Sequence, residues 1–255
     1  MTIWHAIVLG VVQGFTEFLP ISSSGHLLML PLLFRWPEQG LDFDVAVHVA
    51  TLGAIVVALR QDVWHMLRVP RLLALVVCGT VPILVFGFVI PNNLIEAMRA
   101  PLPVAISLVV WGSALVIADV AARHHASLPH LRVMRIKQAF FMGCAQVLAL
   151  IPGTSRSGIT MTAGMVQGLG RQDAARFSFL LAIPAIAGAG ILTLKDALEA
   201  GFNTPTTPLV AGMFAAFLSG MIAIQLLMFV ARRASFMWFA VYRFILAGII
   251  MLILL

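Results

Sequence analysis

Charged residues are scarce in this sequence, and the features that it lacks exclude most soluble classes. Only 10% of its 255 residues are charged and 61% are hydrophobic, whereas soluble domains average about 25% charged and roughly 45–50% apolar. The sequence also lacks the period-2 alternation of membrane β-strands. It has two cysteines, which make no disulfide framework, and neither a Walker loop nor a zinc-binding His-Glu-x-x-His motif. What remains is a helical membrane protein.

Long apolar runs predict six membrane-spanning helices. A helix of about 18 or more nearly uncharged residues can cross the hydrocarbon core, and it satisfies its own backbone there. The predicted spans are residues 43–59, 72–90, 102–122, 174–194, 207–230 and 236–254. We therefore predict an all-α polytopic protein in contact with the bilayer. The net charge of +6 does not indicate a nucleic-acid partner, because the basic residues lie in short loops between apolar runs.

Two further hydrophobic segments are broken by polar residues. Segment 1–34 is interrupted at 20–26, and segment 138–169 is interrupted at 152–158. Each half of these segments is too short to span the membrane, so we predict two re-entrant helical hairpins. Irregular backbone at membrane depth is tolerated only where it is buried in protein or lines a wet cavity.

The two halves of the chain repeat each other after a shift of 133 residues. The matching pairs are Gly10 and Gly143, Gln13 and Gln146, Ser22 and Ser155, Ser24 and Ser157, and Gly25 and Gly158. Each unit has one hairpin and three spans, so the second unit enters from the opposite side as an inverted-topology repeat. We predict a first repeat at 1–122, a cytoplasmic linker at 123–137 and a second repeat at 138–255, within a single membrane domain.

The distribution of basic residues predicts the orientation. One side of the membrane collects Arg60, Arg68, Arg71, Arg123, Arg132, Arg135, Lys137, Arg171, Arg176, Arg232 and Arg233. The other side collects Arg35, Arg99 and Lys195. The positive-inside rule makes the richer side cytoplasmic. Both termini then face outward, and the two hairpins enter from opposite sides.

The first break carries a cluster of polar residues in apolar sequence. The cluster comprises Gln13, Glu17, Ser22, Ser23, Ser24, Gly25 and His26. Gln13 and Glu17 are four residues apart and share a helix face. The turn at 22–25 opens a second half-helix, whose free N–H groups favour an anion. The alternative is a serine-rich helix cap with a snorkelling glutamate.

The second break carries a complementary cluster. It comprises Gly153, Ser155, Arg156, Ser157, Gly158 and Thr160. The planar fork of Arg156 suits a phosphate or a carboxylate, and the half-helix points its positive end inward. The alternative is that Arg156 pairs with Glu17 as a structural clamp, which is compatible with ligand binding. His48, within a span, stays open between a packing residue and a site residue. Arg243, within the last span, stays open between snorkelling and pairing with an acid such as Glu17.

Together the clusters favour phosphoryl chemistry on a lipid-borne substrate, or transport of an anionic one. The motifs resemble those of the bacterial undecaprenyl-diphosphate phosphatases linked to bacitracin resistance, and the resemblance covers essentially the whole chain. The motif (Glu/Gln)-x-x-x-Glu matches Gln13 to Glu17, the serine-rich turn ending in Gly-His matches residues 22–26, and Pro-Gly-x-Ser-Arg-Ser-x-x-Thr matches residues 152–160. The first motif begins with glutamine, so it supplies one carboxylate fewer.

The resemblance implies hydrolysis of undecaprenyl diphosphate to undecaprenyl phosphate and inorganic phosphate, which recycles the lipid carrier of cell-wall peptidoglycan synthesis. It implies an enzyme of the bacterial cytoplasmic (inner) membrane, where the distribution of basic residues predicts both termini on the periplasmic side. It also implies a divalent cation, Mg2+ or Ca2+, with Glu17 as a metal ligand. A membrane transporter or lipid flippase is the alternative, and a homodimer stays open.

The resemblance also implies roles for individual residues. Ser23 would be the nucleophile or a phosphate ligand, with Glu17 and His26 as acid/base or metal-positioning groups. Arg156, Ser155 and Thr160 would hold the diphosphate. The other substrate-binding positions would be Gln13, Ser22, Ser24, Gly25, Gly153, Ser157 and Gly158. The attacking group stays open between Ser23, His26 and a water molecule.

Overall fold

The computed structural model describes residues 1–36, 39–123, 133–200 and 204–254, and all regular structure in these ranges is helical. The first half contains α1 (Ile3–Phe18), α2 (Ser23–Phe34), α3 (Leu41–Ala58), α4 (Arg60–Arg68), α5 (Pro70–Val89), α6 (Asn92–Ala97) and α7 (Pro101–Arg123). The second half contains α8 (Ile136–Val147), α9 (Arg156–Val166), α10 (Arg171–Ala200), α11 (Thr206–Arg233) and α12 (Met237–Leu254). The all-α prediction is confirmed. Most of the predicted linker at 123–137, including Arg132, lies outside the described residues.

Five of the described helices are long and apolar enough to cross a membrane, namely α3, α5, α7, α10 and α11. They coincide with five of the predicted spans. Helix α12 covers the sixth, and it is apolar over a slightly shorter stretch, Met237–Ile253. Two short helices, α4 and α6, were not predicted. Exposed apolar side chains on the long helices, such as Phe88, Ile117 and Phe214, are those expected of a multi-pass protein facing lipid.

Both broken segments form two helices joined by a turn. Helix α1 ends at Phe18 because Pro20 lacks an N–H and forces the preceding residue into extended backbone, as Leu19 shows (φ −70°, ψ 145°). After α8, a short 3-10 turn at Leu148–Leu150 leads into the second break. The helices that follow begin at Ser23 and Arg156, so the breaks are shorter than the predicted 20–26 and 152–158.

Close helix contacts recur in the two halves of the chain. Helix α1 packs against α11, and α8 packs against α5. A methyl group added at Gly10 would meet the backbone of Gly212, and one added at Gly143 would meet the backbone of Gly79. Gly79 and Gly212 are separated by the same 133 residues as Gly10 and Gly143. Small residues at both crossings let the backbones approach closely, as in many membrane helix pairs.

Two sets of polar contacts join neighbouring segments at opposite ends of the helix bundle. Asp119 of α7 forms an ion pair with Arg171 at the start of α10, and it accepts a hydrogen bond from Ser235 before α12. Asp42 of α3 accepts hydrogen bonds from the backbone N and the hydroxyl of Thr204, at 2.6 and 2.9 Å. The buried core between these ends includes Phe18 and Phe179, whose rings meet edge to face at 5.8 Å. These contacts hold together the helices that surround the two helix breaks.

Alanine at Gly143 tests the close crossing of α5 and α8. The added methyl group would press on the backbone of Gly79, and overpacking of this kind costs on the order of 1–3 kcal/mol. We expect Gly143→Ala to lower the thermal unfolding midpoint in detergent by several degrees. Gly190→Ala is the matched control, because no atom of the described residues lies within 4 Å of its added methyl group. Equal thermal unfolding midpoints for the two variants would contradict the close approach of α5 and α8 at Gly143.

Candidate active site

The two helix breaks face each other. The Gly153 backbone N donates to Ser24 Oγ at 3.3 Å, and the Ser157 hydroxyl donates to the Leu19 carbonyl at 3.1 Å. The breaks belong to opposite halves of the chain, so the site between them is formed only when the two halves pack. The prediction that the two polar clusters share one site agrees with this geometry.

Each break contains a serine in left-handed backbone, Ser22 at φ 79° and Ser155 at φ 69°. This conformation costs a non-glycine residue on the order of 1–3 kcal/mol. The serine side chain offsets part of that cost by capping the helix that follows. Ser22 Oγ accepts from the Gly25 N–H at 3.4 Å, and Ser155 Oγ accepts from the Gly158 N–H at 3.2 Å. In both turns the hydroxyl of the serine two residues later lies within hydrogen-bonding distance, at 3.3 and 3.2 Å.

The carboxylate of Glu17, near the end of α1, is the centre of the site. It is 7% exposed and accepts hydrogen bonds from three side chains. Gln13 Nε2 lies 3.3 Å from Oε2, Ser23 Oγ lies 2.9 Å from Oε2, and Arg156 Nη2 lies 3.0 Å from Oε1. The ion pair between Glu17 and Arg156, considered above as an alternative, is therefore present. It leaves the Ser23 hydroxyl in direct contact with a carboxylate.

Arg156 has hydrogen-bonding capacity beyond this ion pair. Its Nε and Nη1 are buried and have no partner among the described residues. A guanidinium presents five N–H donors in a fixed plane, and buried donors without a partner are costly. One corner of the Arg156 fork thus holds Glu17, while the remaining donors are free for an anion.

His48 of α3 joins the same cluster. Its Nε2 lies 4.0 Å from Glu17 Oε2, and its side chain is 34% exposed. Its Nδ1 lies 2.7 Å from the Asp44 carbonyl, which can only accept, so Nδ1 carries a proton. The sequence left His48 open between packing and the site, and the structure places it at the site.

His26 lies beside this cluster and bonds elsewhere. Its Nδ1 donates to the Ser22 carbonyl at 2.7 Å, so Nε2 of the neutral ring accepts from the Tyr242 hydroxyl at 2.6 Å. The two rings are nearly parallel, with centroids 5.5 Å apart. Both ring nitrogens are occupied by partners other than Glu17 and Ser23. His26 therefore supports the first turn in this structure, while the predicted acid/base role stays a prediction.

Thr160 and the two glycines of the second break have structural contacts. The Thr160 hydroxyl donates to the Arg156 carbonyl at 2.8 Å and lies 2.6 Å from Ser178 Oγ, so it packs α9 on α10. Gly153 has φ 88°, and a methyl group there would lie 2.7 Å from the Val104 carbonyl oxygen. At Gly158 it would lie 3.2 Å from Arg243 Nη1. These positions shape the turn without bringing a further functional group to Glu17.

Sequence reasoning left Arg243 unassigned and did not single out Tyr242 as a site residue. Arg243 is fully buried, and its Nη2 donates to the carbonyls of Gly153 and Thr154 at 2.9 and 3.0 Å. It therefore neither snorkels nor pairs with Glu17, the two roles left open above. One signal was present in the sequence, because Tyr242 is the only tyrosine of the chain and adjoins an arginine within an apolar run.

The geometry suits attack on a phosphate. A hydroxyl within hydrogen-bonding distance of a carboxylate is the arrangement of an activated nucleophile. The N-terminus of α9 and the free donors of Arg156 lie on the other side of Glu17, where they favour negative charge. Ser23 and Arg156 thus bring a hydroxyl and a guanidinium together around the buried carboxylate of Glu17.

Comparisons with known proteins show the family to which this chain belongs. The family described as "Bacitracin resistance protein BacA" matches residues 6–249. An undecaprenyl-diphosphatase of Chromohalobacter salexigens is 44% identical, covering 98% of this chain and 97% of the relative. Similar proteins of the same name from Alteromonas mediterranea and Moorella thermoacetica are 41% and 40% identical, each covering 98% of this chain and 98% and 97% of the relative. With a match over nearly its whole length, this chain belongs to the BacA family of bacitracin resistance proteins.

Proposed function

We propose that this protein is an integral membrane phosphatase that hydrolyses undecaprenyl diphosphate to undecaprenyl phosphate and inorganic phosphate. The observation that carries the proposal is the Ser23 hydroxyl, held 2.9 Å from Glu17 beside an arginine with free donors. The names of the three relatives support the substrate. They give no support to the alternative prediction of transport without hydrolysis.

The diphosphate would lie between the two breaks. Its terminal phosphate would meet the first-turn N–H groups of α9 and the free Nε and Nη1 of Arg156, while the polyprenyl chain extends into the bilayer. Gly153 and Gly158 lack side chains where the Val104 carbonyl and Arg243 pack against the turn, so their predicted part in substrate binding is to shape this turn. The serines at 22, 24 and 155 would supply further hydroxyl donors, as the resemblance implies, whereas the hydroxyl of Ser157, also implied, already donates to the Leu19 carbonyl.

In the proposed chemistry Ser23 Oγ attacks the terminal phosphorus, and Glu17 takes the hydroxyl proton. The bond from that phosphorus to the bridging oxygen breaks, its electron pair leaves with undecaprenyl phosphate, and Glu17 returns the proton to this leaving group. A water molecule then attacks the phosphoserine, giving its proton through Glu17 to Ser23 Oγ. Inorganic phosphate is released and both side chains are restored. Arg156 stabilises the charge on the equatorial oxygens in each step.

The side-chain oxygens of Glu17 and Gln13 suit a divalent cation that also contacts the phosphates of the substrate. Gln13 Oε1 is buried and has no partner among the described residues, while Nε2 of the same amide is fixed on Glu17. No group of three or more histidine, cysteine, aspartate or glutamate side chains in the described ranges forms a metal cage. Mg2+ characteristically takes one or two carboxylates together with substrate phosphates and water. We propose that Glu17 and Gln13 hold the cation, which would neutralise phosphate charge.

We also propose an inverted-topology repeat with six spans, namely α3, α5, α7, α10, α11 and α12, and two re-entrant hairpins. The repeats would be 1–122 and 138–255, joined by the linker at 123–137. The reciprocal glycine contacts and the two left-handed serines, all related by 133 residues, support the repeat. The positive-inside rule supports a cytoplasmic-membrane protein with both termini on the periplasmic side. The homodimer stays a prediction.

Phosphate release from undecaprenyl diphosphate tests the function and the nucleophile together. We expect purified protein with Mg2+ or Ca2+ to release inorganic phosphate, and Ser23→Ala to lose on the order of 10³-fold or more in kcat. Acid quenching with substrate labelled at the terminal phosphate should trap label on the wild type and none on the variant. Ser113→Ala is the control, because that hydroxyl donates to the Val109 carbonyl of its own helix, outside the two turns. Trapped label on Ser23→Ala would exclude Ser23 as nucleophile.

Substitution of Arg156 tests the anion clamp. Arg156→Ala removes a charge-assisted contact to the transition state, so we expect kcat to fall on the order of 10²–10³-fold. Arg156→Lys keeps the charge but loses the planar fork, and it should recover only part of that loss. Exposed Arg60→Ala serves as the control for removing a positive charge. Near-normal turnover of Arg156→Ala would remove this residue from the mechanism.

Gln13 variants test the cation site. Gln13→Glu adds a second carboxylate beside Glu17, so we expect half-maximal activity at a lower Mg2+ concentration. Gln13→Leu removes the free amide oxygen, and the Mg2+ concentration required should rise about tenfold. Titrating Mg2+ into protein stripped with a chelator measures both effects. An unchanged half-maximal concentration in both variants would show that Gln13 does not contribute to cation binding.

A further inference from the structure

Two consecutive residues of α12 reach two different turns. The Tyr242 hydroxyl donates to His26 in the first turn region, and Arg243 donates to two carbonyls of the second turn. We propose that Tyr242 and Arg243 form an alignment clamp, a pair of positioning residues that fixes the two turns relative to each other. The inference deepens the proposed function, since it concerns how Ser23 and Arg156 are both kept on Glu17.

The clamp has two arms, the contact of Tyr242 with His26 and the contacts of Arg243 with the second turn. The Tyr242 arm acts through His26. The Tyr242 hydroxyl and the Ser22 carbonyl occupy both nitrogens of the imidazole, which fixes one tautomer and one ring orientation. The Ser22 carbonyl belongs to a residue in left-handed backbone, a conformation that persists only where surrounding contacts hold it. Ser22 directly precedes Ser23. The chain of contacts from Tyr242 through His26 to Ser22 therefore orients the backbone that carries the Ser23 hydroxyl.

The Arg243 arm acts on the second turn. Burying a guanidinium whose contacts include no carboxylate is costly, and Arg243 is fully buried with Nε and Nη1 unpartnered among the described residues. Its two contacts are the carbonyls of Gly153 and Thr154, which precede the left-handed Ser155. In a trans peptide the C=O and N–H point in opposite directions. Holding the Thr154 carbonyl on Arg243 therefore turns the Ser155 N–H away from α12.

The two arms share one rigid element. Adjacent residues of a helix project about 100° apart, so a single helix can contact both turns without moving. Helix α12 packs against α7, which itself packs against α9. Helix α12 thus joins the two turns through its own side chains, in addition to the hydrogen bonds that the two breaks make directly with each other. Displacement of a reacting group by about 1 Å can cost on the order of 10²-fold in rate, which gives such alignment a function.

A double-mutant cycle tests the Tyr242 arm. Tyr242→Phe removes only the hydroxyl, and we expect kcat to fall about tenfold with little change in KM. In a His26→Ala background the same substitution should change kcat less than about twofold, because the partner is already gone. Trp238→Phe, one helical turn earlier and 69% exposed, is the matched control. An equal loss in both backgrounds, or a loss no larger than that of the control, would overturn this arm.

The Arg243 arm is tested with Arg243→Lys and Arg243→Met. Lysine can still donate to a turn carbonyl, so we expect it to retain kcat within about tenfold, whereas Arg243→Met should lose on the order of 10²-fold. Exposed Arg232→Met controls for loss of a positive charge. Wild-type kcat in Arg243→Met would overturn this arm.

Hydrogen–deuterium exchange tests the clamp independently of catalysis, and it remains informative if Arg243→Met does not fold. Tyr242→Phe should speed exchange at residues 19–27 and leave 151–160 unchanged. Arg243→Lys, which keeps one of the two carbonyl contacts and loses the other, should do the reverse. Failure of the wild type to release phosphate would overturn the proposed function but not this exchange pattern. If both variants loosen both turns equally, or neither turn, the clamp is wrong.

Discussion

The structure depends on the burial of one carboxylate, that of Glu17, within a chain that spans the membrane. An isolated carboxylate in such surroundings is costly, so it requires a cation and hydrogen-bond donors. Those groups come from different parts of the chain: Gln13 from the same helix, Ser23 from the next, His48 from α3 and Arg156 from the second half. Compensating this charge requires both halves to meet, so the site is assembled by the same contacts that join the halves.

The contacts on Glu17 are asymmetric although the scaffold around it repeats. Ser23 and Arg156 are equivalent under the 133-residue shift, and they bind opposite oxygens of the same carboxylate, Oε2 and Oε1. Glu17 itself corresponds to Leu150 in the second copy. The backbone of each turn, with its left-handed serine and its capped glycine N–H, is nearly the same in both copies. The two equivalent positions thus differ in residue type, which places a hydroxyl on one oxygen of Glu17 and a guanidinium on the other.

Much of this arrangement could be predicted from the sequence because local patterns encode it. The apolar runs define the long helices, Pro20 and Pro152 mark the breaks, and the pairing of Arg156 with Glu17 follows from charge balance in an apolar setting. Contacts that depend on tertiary packing could not be predicted. His26 reads as a catalytic base in the sequence, but the residue that orients it is Tyr242, 216 positions away. Thr160 matches a motif position, yet its hydroxyl is taken up by Ser178 of the neighbouring helix.

The charges at the turns explain why the site favours an anion. Glu17 contributes one negative charge, while Arg156 and Arg243 each contribute a positive one, and Arg243 has backbone carbonyls rather than a carboxylate as partners. These three side chains leave an excess of one positive charge where the surrounding dielectric is low, and such an excess is costly unless an anion compensates it. The excess lies beside the N-terminus of α9, whose dipole adds to it. A diphosphate bound as proposed would bring the opposite charge to this position, so its binding would offset a cost that folding alone leaves uncompensated.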